Sequence, residues 1–284
     1  MHFHWSASKS QVLRFAAVAV LTSAVYADIV LRWARHWWID ESYSHGLLVA
    51  PLACYLAWLR WRERPVDKSP RTYGLIVILA ACAMCLMGRL GAELFLSRLS
   101  LVALLGGLLL TFHGAAALRR LSFPLLLLAS VVPLPAIVYN NISAPLQLLA
   151  SSAAVNLVQV VGISVHREGN VIQLANTSLG VAEACSGLRS LASLLVSALL
   201  LGYLDCRRFR TKAVLLAASI PIAVLFNVLR VGGTAVLAEY NADLATGFYH
   251  AGAGWLTFVA GFGMLWVCAR LFRRVLEPVA GTQL

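Results

Sequence analysis

Residues 142–163 read ISAPLQLLASSAAVNLVQVVGI. Whether this stretch crosses a bilayer or lies on it decides the topology of everything around it. It is long enough to cross, since about 20 apolar residues suffice. Basic residues elsewhere choose between the two readings. The 205–212 loop DCRRFRTK carries Arg207, Arg208, Arg210 and Lys212, and the tail carries Arg270, Arg273 and Arg274. Upstream lie Arg119 and Arg120; Arg60, Arg62, Arg64, Lys68 and Arg71 around WRERPVDKSPRTY; and Lys9 and Arg14. If 142–163 stays on the surface, all of these fall on one side. Only Arg32, Arg35, Arg89, Arg98 and Arg167 fall on the other, with Arg189 and Arg230 inside spans. An extra crossing would move the 205–212 loop and the tail across. Basic residues concentrate on the cytoplasmic side. The stretch is therefore predicted as an amphipathic or re-entrant helix on the outer face, turning Gln147, Asn156 and Gln159 away from lipid. Both termini are then cytoplasmic.

Around it lie eight apolar segments, at about 12–31, 46–60, 73–90, 97–113, 119–138, 185–204, 213–238 and 251–272. The 284 residues are 60% hydrophobic and 12% charged, with a mean hydropathy of +0.80. An ordinary soluble domain is about 25% charged. These values exclude disorder and argue against a soluble enzyme; helices are the plausible spanning element. The predicted fold is an all-α polytopic membrane protein with about eight transmembrane helices. It forms one domain, 1–284, with 1–10 and 273–284 cytoplasmic. The net charge of +11 would point to nucleic acid in a soluble chain. Here it reflects orientation, and no nucleic-acid partner is expected.

Lys9 and Arg14 before FAAVAVLTSAVYA imitate a signal peptide ending near Ala27, but Ile29, Val30 and Leu31 prolong the apolar run. An uncleaved anchor is the better reading. Pro133-x-Pro135 and Asn140-Asn141 are expected to end the fifth segment. Downstream, SVHREGNVIQLANTSLGVAEA (164–184) reads as a small β-hairpin, with turns at 168–170 and 176–180. Trp33, Trp37 and Trp38 suit an interfacial belt. Six scattered cysteines form no disulfide framework, and Cys82-x-x-Cys85 lies in an apolar run, so it is read as packing.

Three residues begin or enter consecutive antiparallel spans at similar outer depth. Cys185, in Glu183-Ala-Cys-Ser186-Gly187-Leu-Arg189, is expected on the first turn of a helix, where unpaired N–H groups and the dipole favour thiolate. Its alternative is a small buried hydrophobe. Arg189 follows one turn on, and Gly187 lets backbone or substrate approach. Arg230, in FNVLRVGG, lies about 12–14 Å inside its span. Such a charge is a functional candidate, the alternative being a structural pair with Asp28 or with backbone carbonyls. Asn227 shares its face, and Gly232-Gly233 is expected to leave room beside it. His250 starts the last span; alone, it would be a polar anchor. Cys plus His is the minimum for thiol nucleophilic catalysis, and Arg can stabilise an oxyanion. His45, in Tyr43-Ser-His-Gly46 before the second span, could line a site or serve loop packing. His45 and His250 lack a third ligand, so no metal is expected, and no phosphate loop or other cofactor motif is found.

Taken together, Tyr43-Ser-His-Gly46, Pro133-x-Pro135, Arg167-x-Gly-Asn170, Ala184-Cys-Ser-Gly-Leu-Arg189, Asn227-x-x-Arg230 and His250 resemble the exosortase family, in family order from about 38 to 272. The resemblance implies a multi-pass inner-membrane cysteine protease or transpeptidase with its active site on the periplasmic side. Cys185, Arg230 and His250 would be catalytic, with Arg189, Asn227, Glu183, Ser186, Gly187 and His45 around them. Its partners would be membrane lipids and exported proteins bearing a C-terminal PEP-CTERM signal, made of a Pro-Glu-Pro motif, a transmembrane helix and a basic cluster. It also implies company with exopolysaccharide production. A non-enzymatic scaffold or a lipid-linked glycan transporter is the rival reading. The acceptor nucleophile is open.

Overall fold

The computed structural model describes residues 9–40, 42–63, 72–175, 177–181, 187–241 and 247–277, and the chain divides into two compact units, 1–133 and 134–284. The first unit holds α1 (Lys9–Ile39), α2 (Gly46–Trp61), α3 (Thr72–Leu90) and α4 (Leu94–Ser130). Helix α1 runs well past the predicted 12–31 because its last turns find a partner. Trp33 and Trp37 are buried, and both donate their indole N–H to the Val131 carbonyl, at 3.1 and 3.0 Å. They are core residues and not the interfacial belt anticipated for them. Trp38 alone of the three is exposed. Cys85 is buried beside Tyr26, Ile29, Ala81 and Leu104, a packing role as read, while Cys82 is exposed.

Helix α4 is two rods. Gly114 has φ 82° and ψ 179°, a conformation that only glycine adopts without strain. Beyond it the chain doubles back. A Cβ placed on Gly106 would lie 3.6 Å from a Leu118 methyl and 3.9 Å from a Leu125 methyl. In a straight helix Gly106 and Leu125 would be about 28 Å apart. The arms 94–113 and 115–130 are the two segments expected at 97–113 and 119–138, the second ending early. The break comes at 131–135, where prolines withdraw backbone donors. Asn140 and Asn141 do not break a helix, contrary to expectation; they sit inside α5.

The second unit comprises α5 (Ala136–Val160), β1 (His166–Glu168), β2 (Val171–Gln173), β3 (Ser178–Gly180), α6 (Leu188–Asp205), α7 (Phe209–Tyr240) and α8 (Gly247–Leu276). Among the described residues, six helices are long and apolar enough to cross a membrane: 16–39 of α1, 73–90 of α3, α4, α6, α7 and 252–276 of α8. Helix α5 is not among them, and α2 is shorter, at 16 residues. The chain is an integral membrane protein. Dividing α4 into its arms and adding α2 returns the predicted apolar segments one for one. Of the polar residues on α5, Gln147 is half-buried and donates to Ser143 at 2.7 Å, while Asn156 and Gln159 are exposed.

The expected hairpin is a three-stranded antiparallel sheet, β1-β2-β3, with Arg167 opposite Ile172 and Ile172 opposite Leu179. The first turn falls at 169–170 as read. Ser178–Gly180, anticipated as turn, is the third strand; Asn176 lies outside the described residues. Fully buried Ile172 seats the sheet on Ala150, Ala154 and Val155 of α5 and Val231 of α7. Leu194, Leu215, Ile222 and Leu265 form the core of α6–α8. Where α7 begins, the Glu277 carboxylate accepts the backbone N–H groups of Arg207 (3.0 Å) and Arg208 (2.7 Å). Burial pushes the Glu277 carboxyl upward, but these N–H groups prevail and hold it below its ordinary value.

Candidate functional site

Between Ala213 and Ala238, helix α7 is apolar except for Ser219 and one stripe. Asn227, Arg230 and Thr234 stand at spacings of three and four, which puts them on one face. All three are buried, with Arg230 6% exposed. A guanidinium inside a span faces protein or a wet cavity. The room for it comes from α8. A Cβ on Gly254 would stand 3.1 Å from Arg230 Cζ and Nη2, so the guanidinium packs against bare backbone. The glycines expected to make this space do not. Gly232 admits Leu157 of α5, whose Cδ2 would be 2.7 Å from an added Cβ, and Gly233 faces open space. Gly254 went unnoticed in the sequence. Its signal is its position four residues after His250, on the same face of α8 and about 6 Å along the axis. The backbone of His250 belongs to the first turn of α8. Its side chain lies outside the described residues.

Asn227 meets the segment before α6. A Cβ on Gly187 would be 2.8 Å from Asn227 Nδ2, and Gly187 has φ 64°, so glycine is required twice over. This left-handed residue also corrects the helix start. The span expected from residue 185 begins at Leu188. Cys185, Glu183 and Ser186 lie outside the described residues. Arg189 is the second residue of α6, half-buried, with its Nε inside.

Two polar atoms on the stripe, Asn227 Oδ1 and Thr234 Oγ1, are buried with no hydrogen-bond partner among the described residues. An unmet buried polar atom costs about 1–3 kcal/mol. A bound polar group would recover that cost. Beside Asn227 a cavity of about 10 Å³, bordered by Ala150, Gly187 and Leu191, has room for about one water. Thr234 was also missed from the sequence. Its spacing from Arg230 would have disclosed it. Asp28, the alternative ion partner for Arg230, is taken by Arg32 and, at 2.7 Å, by Arg89.

His45 belongs to the first unit, at the N-cap of α2, its ring 6.3 Å from that of Tyr43. Its Nε2 is buried with no partner among the described residues, and burial pushes the imidazole below its ordinary value. The neighbouring Gly46 has a packing reason: a Cβ there would be 2.5 Å from the Trp37 indole nitrogen. Arg167 of the Arg-x-Gly-Asn motif donates to the Gly169 carbonyl at 2.7 Å, and Asn170 reaches Gln147 at 3.5 Å. That motif closes the first turn of the sheet and ties it to α5.

A family model described as transmembrane exosortase matches residues 37–267. No curated protein and no solved structure matches the chain.

Proposed function

The chain belongs to the transmembrane exosortase family, and on that premise we propose that it is a membrane-embedded cysteine peptidase or transpeptidase. Its substrates would be exported proteins that end in a Pro-Glu-Pro motif, a transmembrane helix and a basic cluster. Their helix would dock laterally against the bundle, in the inner membrane, with the cleaved bond on the periplasmic side. The observation that carries the reading is the buried α7 stripe: Arg230 lies against Gly254, one turn from His250, and Asn227 against Gly187, two residues after Cys185.

In this mechanism the Cys185 thiolate attacks the peptide carbonyl carbon. Arg230 receives the developing oxyanion through charge-assisted N–H donors fixed in a low-dielectric setting. His250 protonates the leaving amine as the C–N bond breaks, which leaves a thioester on Cys185. The neutral imidazole then takes a proton from the acceptor, an amine or water, as that attacks the thioester and releases the thiolate. Asn227 and Thr234 offer their buried oxygens to the backbone N–H groups of an extended substrate. Arg189, Glu183 and Ser186 flank the nucleophile in sequence, and His45 is a further candidate for substrate contact. The rival reading is a scaffold or lipid-linked glycan transporter in exopolysaccharide production, in which Arg230 would hold a phosphate. No geometric feature favours it over the first.

The test is co-expression with a tagged substrate carrying the tripartite tail, with the substrate's mass as the readout. A shortened substrate with the wild type and an intact one with Cys185→Ala is the expected result. Added mass on the new C-terminus marks transfer, and its absence marks hydrolysis. Equal processing by Cys185→Ala at normal protein level would sink the mechanism.

A further inference from the structure

Three arginines of the first unit converge on one recess. Arg32 of α1, Arg89 of α3 and Arg98 of α4 line a cavity of about 390 Å³ together with Ile29, Gly88 and Ser97. The helices are held close there: a Cβ on Gly88 would lie 2.7 Å from the Ser97 backbone nitrogen. The acidic groups nearby are already engaged. Asp28 binds both Arg32 and Arg89, and the Glu93 carboxylate caps α4 by accepting the Leu96 N–H at 2.8 Å. Arg98 has the least support. It is 3% exposed and lines the recess, and the carboxylate whose charge reaches it, Glu93, is the one already engaged as the α4 cap. A buried cation whose counter-charge is shared with a helix cap is costly, and the cost is relieved when an anion binds.

The surroundings narrow the choice of anion. Leu94 borders the recess and is exposed, as are Leu31 and Leu90, next in sequence to two of the arginines. A ligand seated there meets planar cationic donors at one end and bare apolar helix beside them. That combination fits an amphiphile with a phosphate head, since guanidinium groups bind phosphate oxygens in parallel pairs. Arginine is also scarce on this side of the predicted topology. Three of the five basic residues assigned there line this one recess, where an orientation signal would have dispensed with them. We propose that the recess is a binding site for the headgroup phosphate of an anionic phospholipid. The proposal is independent of the peptidase reading.

The experiment uses the full chain purified in detergent, with thermal unfolding followed as lipid is added. Phosphatidylglycerol is expected to raise the midpoint by about 2–4 °C, and phosphatidylcholine to leave it unchanged. In Arg98→Gln the concentration of phosphatidylglycerol for half the shift should rise at least tenfold. Arg32→Gln, at an exposed position where folding is not at stake, should weaken the response in the same direction. Equal stabilisation by phosphatidylcholine, or a wild-type response in both variants, overturns the site; should Arg98→Gln not fold, Arg32→Gln decides alone. If inorganic phosphate at millimolar concentration gives the whole shift and the lipid adds nothing, the site takes soluble phosphate and the lipid assignment falls.

Discussion

A guanidinium aimed at a developing oxyanion works only if its position is fixed before the charge appears, and Gly254 is what fixes Arg230 on the α8 side. Arg230→Lys keeps the charge and loses the planar fork. Cleavage of a signal-bearing substrate should fall by about 10²–10³, the range for loss of an oxyanion donor. Gly254→Ala puts a methyl 3.1 Å from the guanidinium carbon and should slow cleavage by about tenfold at unchanged protein level. Gly263→Ala, on the same helix with nothing within 4 Å, is the control and should be silent. Both comparisons are read from initial rates of tail removal. If Gly254→Ala matches the control, Arg230 is not held where the reaction needs it. Arg230 and Asn227 were legible in the sequence because polar residues inside an apolar span are conspicuous. Gly254 and Thr234 were missed, because a small residue or a lone hydroxyl in a membrane helix is not conspicuous by itself. The signal each carries is its spacing, from His250 and from Arg230, and it gains its meaning once α7 and α8 are side by side.

At the scale of elements, hydropathy located the apolar segments well and their ends poorly. The end of α1 was misplaced because an indole pair with a distant acceptor extends the helix, and that acceptor is about a hundred residues away in sequence. The start of α6 was misplaced because Gly187 takes a left-handed backbone that serves Asn227. The bend at Gly114 had its own sequence mark, a glycine between two apolar runs just before Arg119 and Arg120. Gly114→Ala forces an L-residue into φ 82°, ψ 179°, at a cost of about 1–3 kcal/mol. The expected outcome is a lower thermal midpoint for the purified protein, with the site residues untouched. An unchanged midpoint would mean that the bend tolerates a side chain and that the reversal is set elsewhere.

For the molecule as a whole, the end of α8 is tied to the start of α7 by one carboxylate. Glu277 has a folded pKa below its ordinary value. Its contribution is therefore present above the unfolded carboxyl pKa and lost as pH falls through the folded one. Glu277→Gln should lower the unfolding midpoint at pH 7, and the gap to wild type should close below about pH 4. A gap that persists in acid would show that shape, and not charge, makes the cap. The six membrane-capable helices among the described residues and the family match agree with the composition. The sheet was harder to read. Its strands are three residues each, too short for alternation to register, and the burial of Ile172 against α5 and α7 is what makes them a sheet.

The clasp of Trp33 and Trp37 on the Val131 carbonyl also has a bearing on time. It needs nothing beyond residue 131, so its last partner is made 54 residues before Cys185. At ordinary ribosomal speed that interval is about 3–11 s. The first unit can close during it, before the ribosome has supplied Cys185, Arg230 or His250. A nascent chain thus carries this clasp before it carries the residue proposed as its nucleophile.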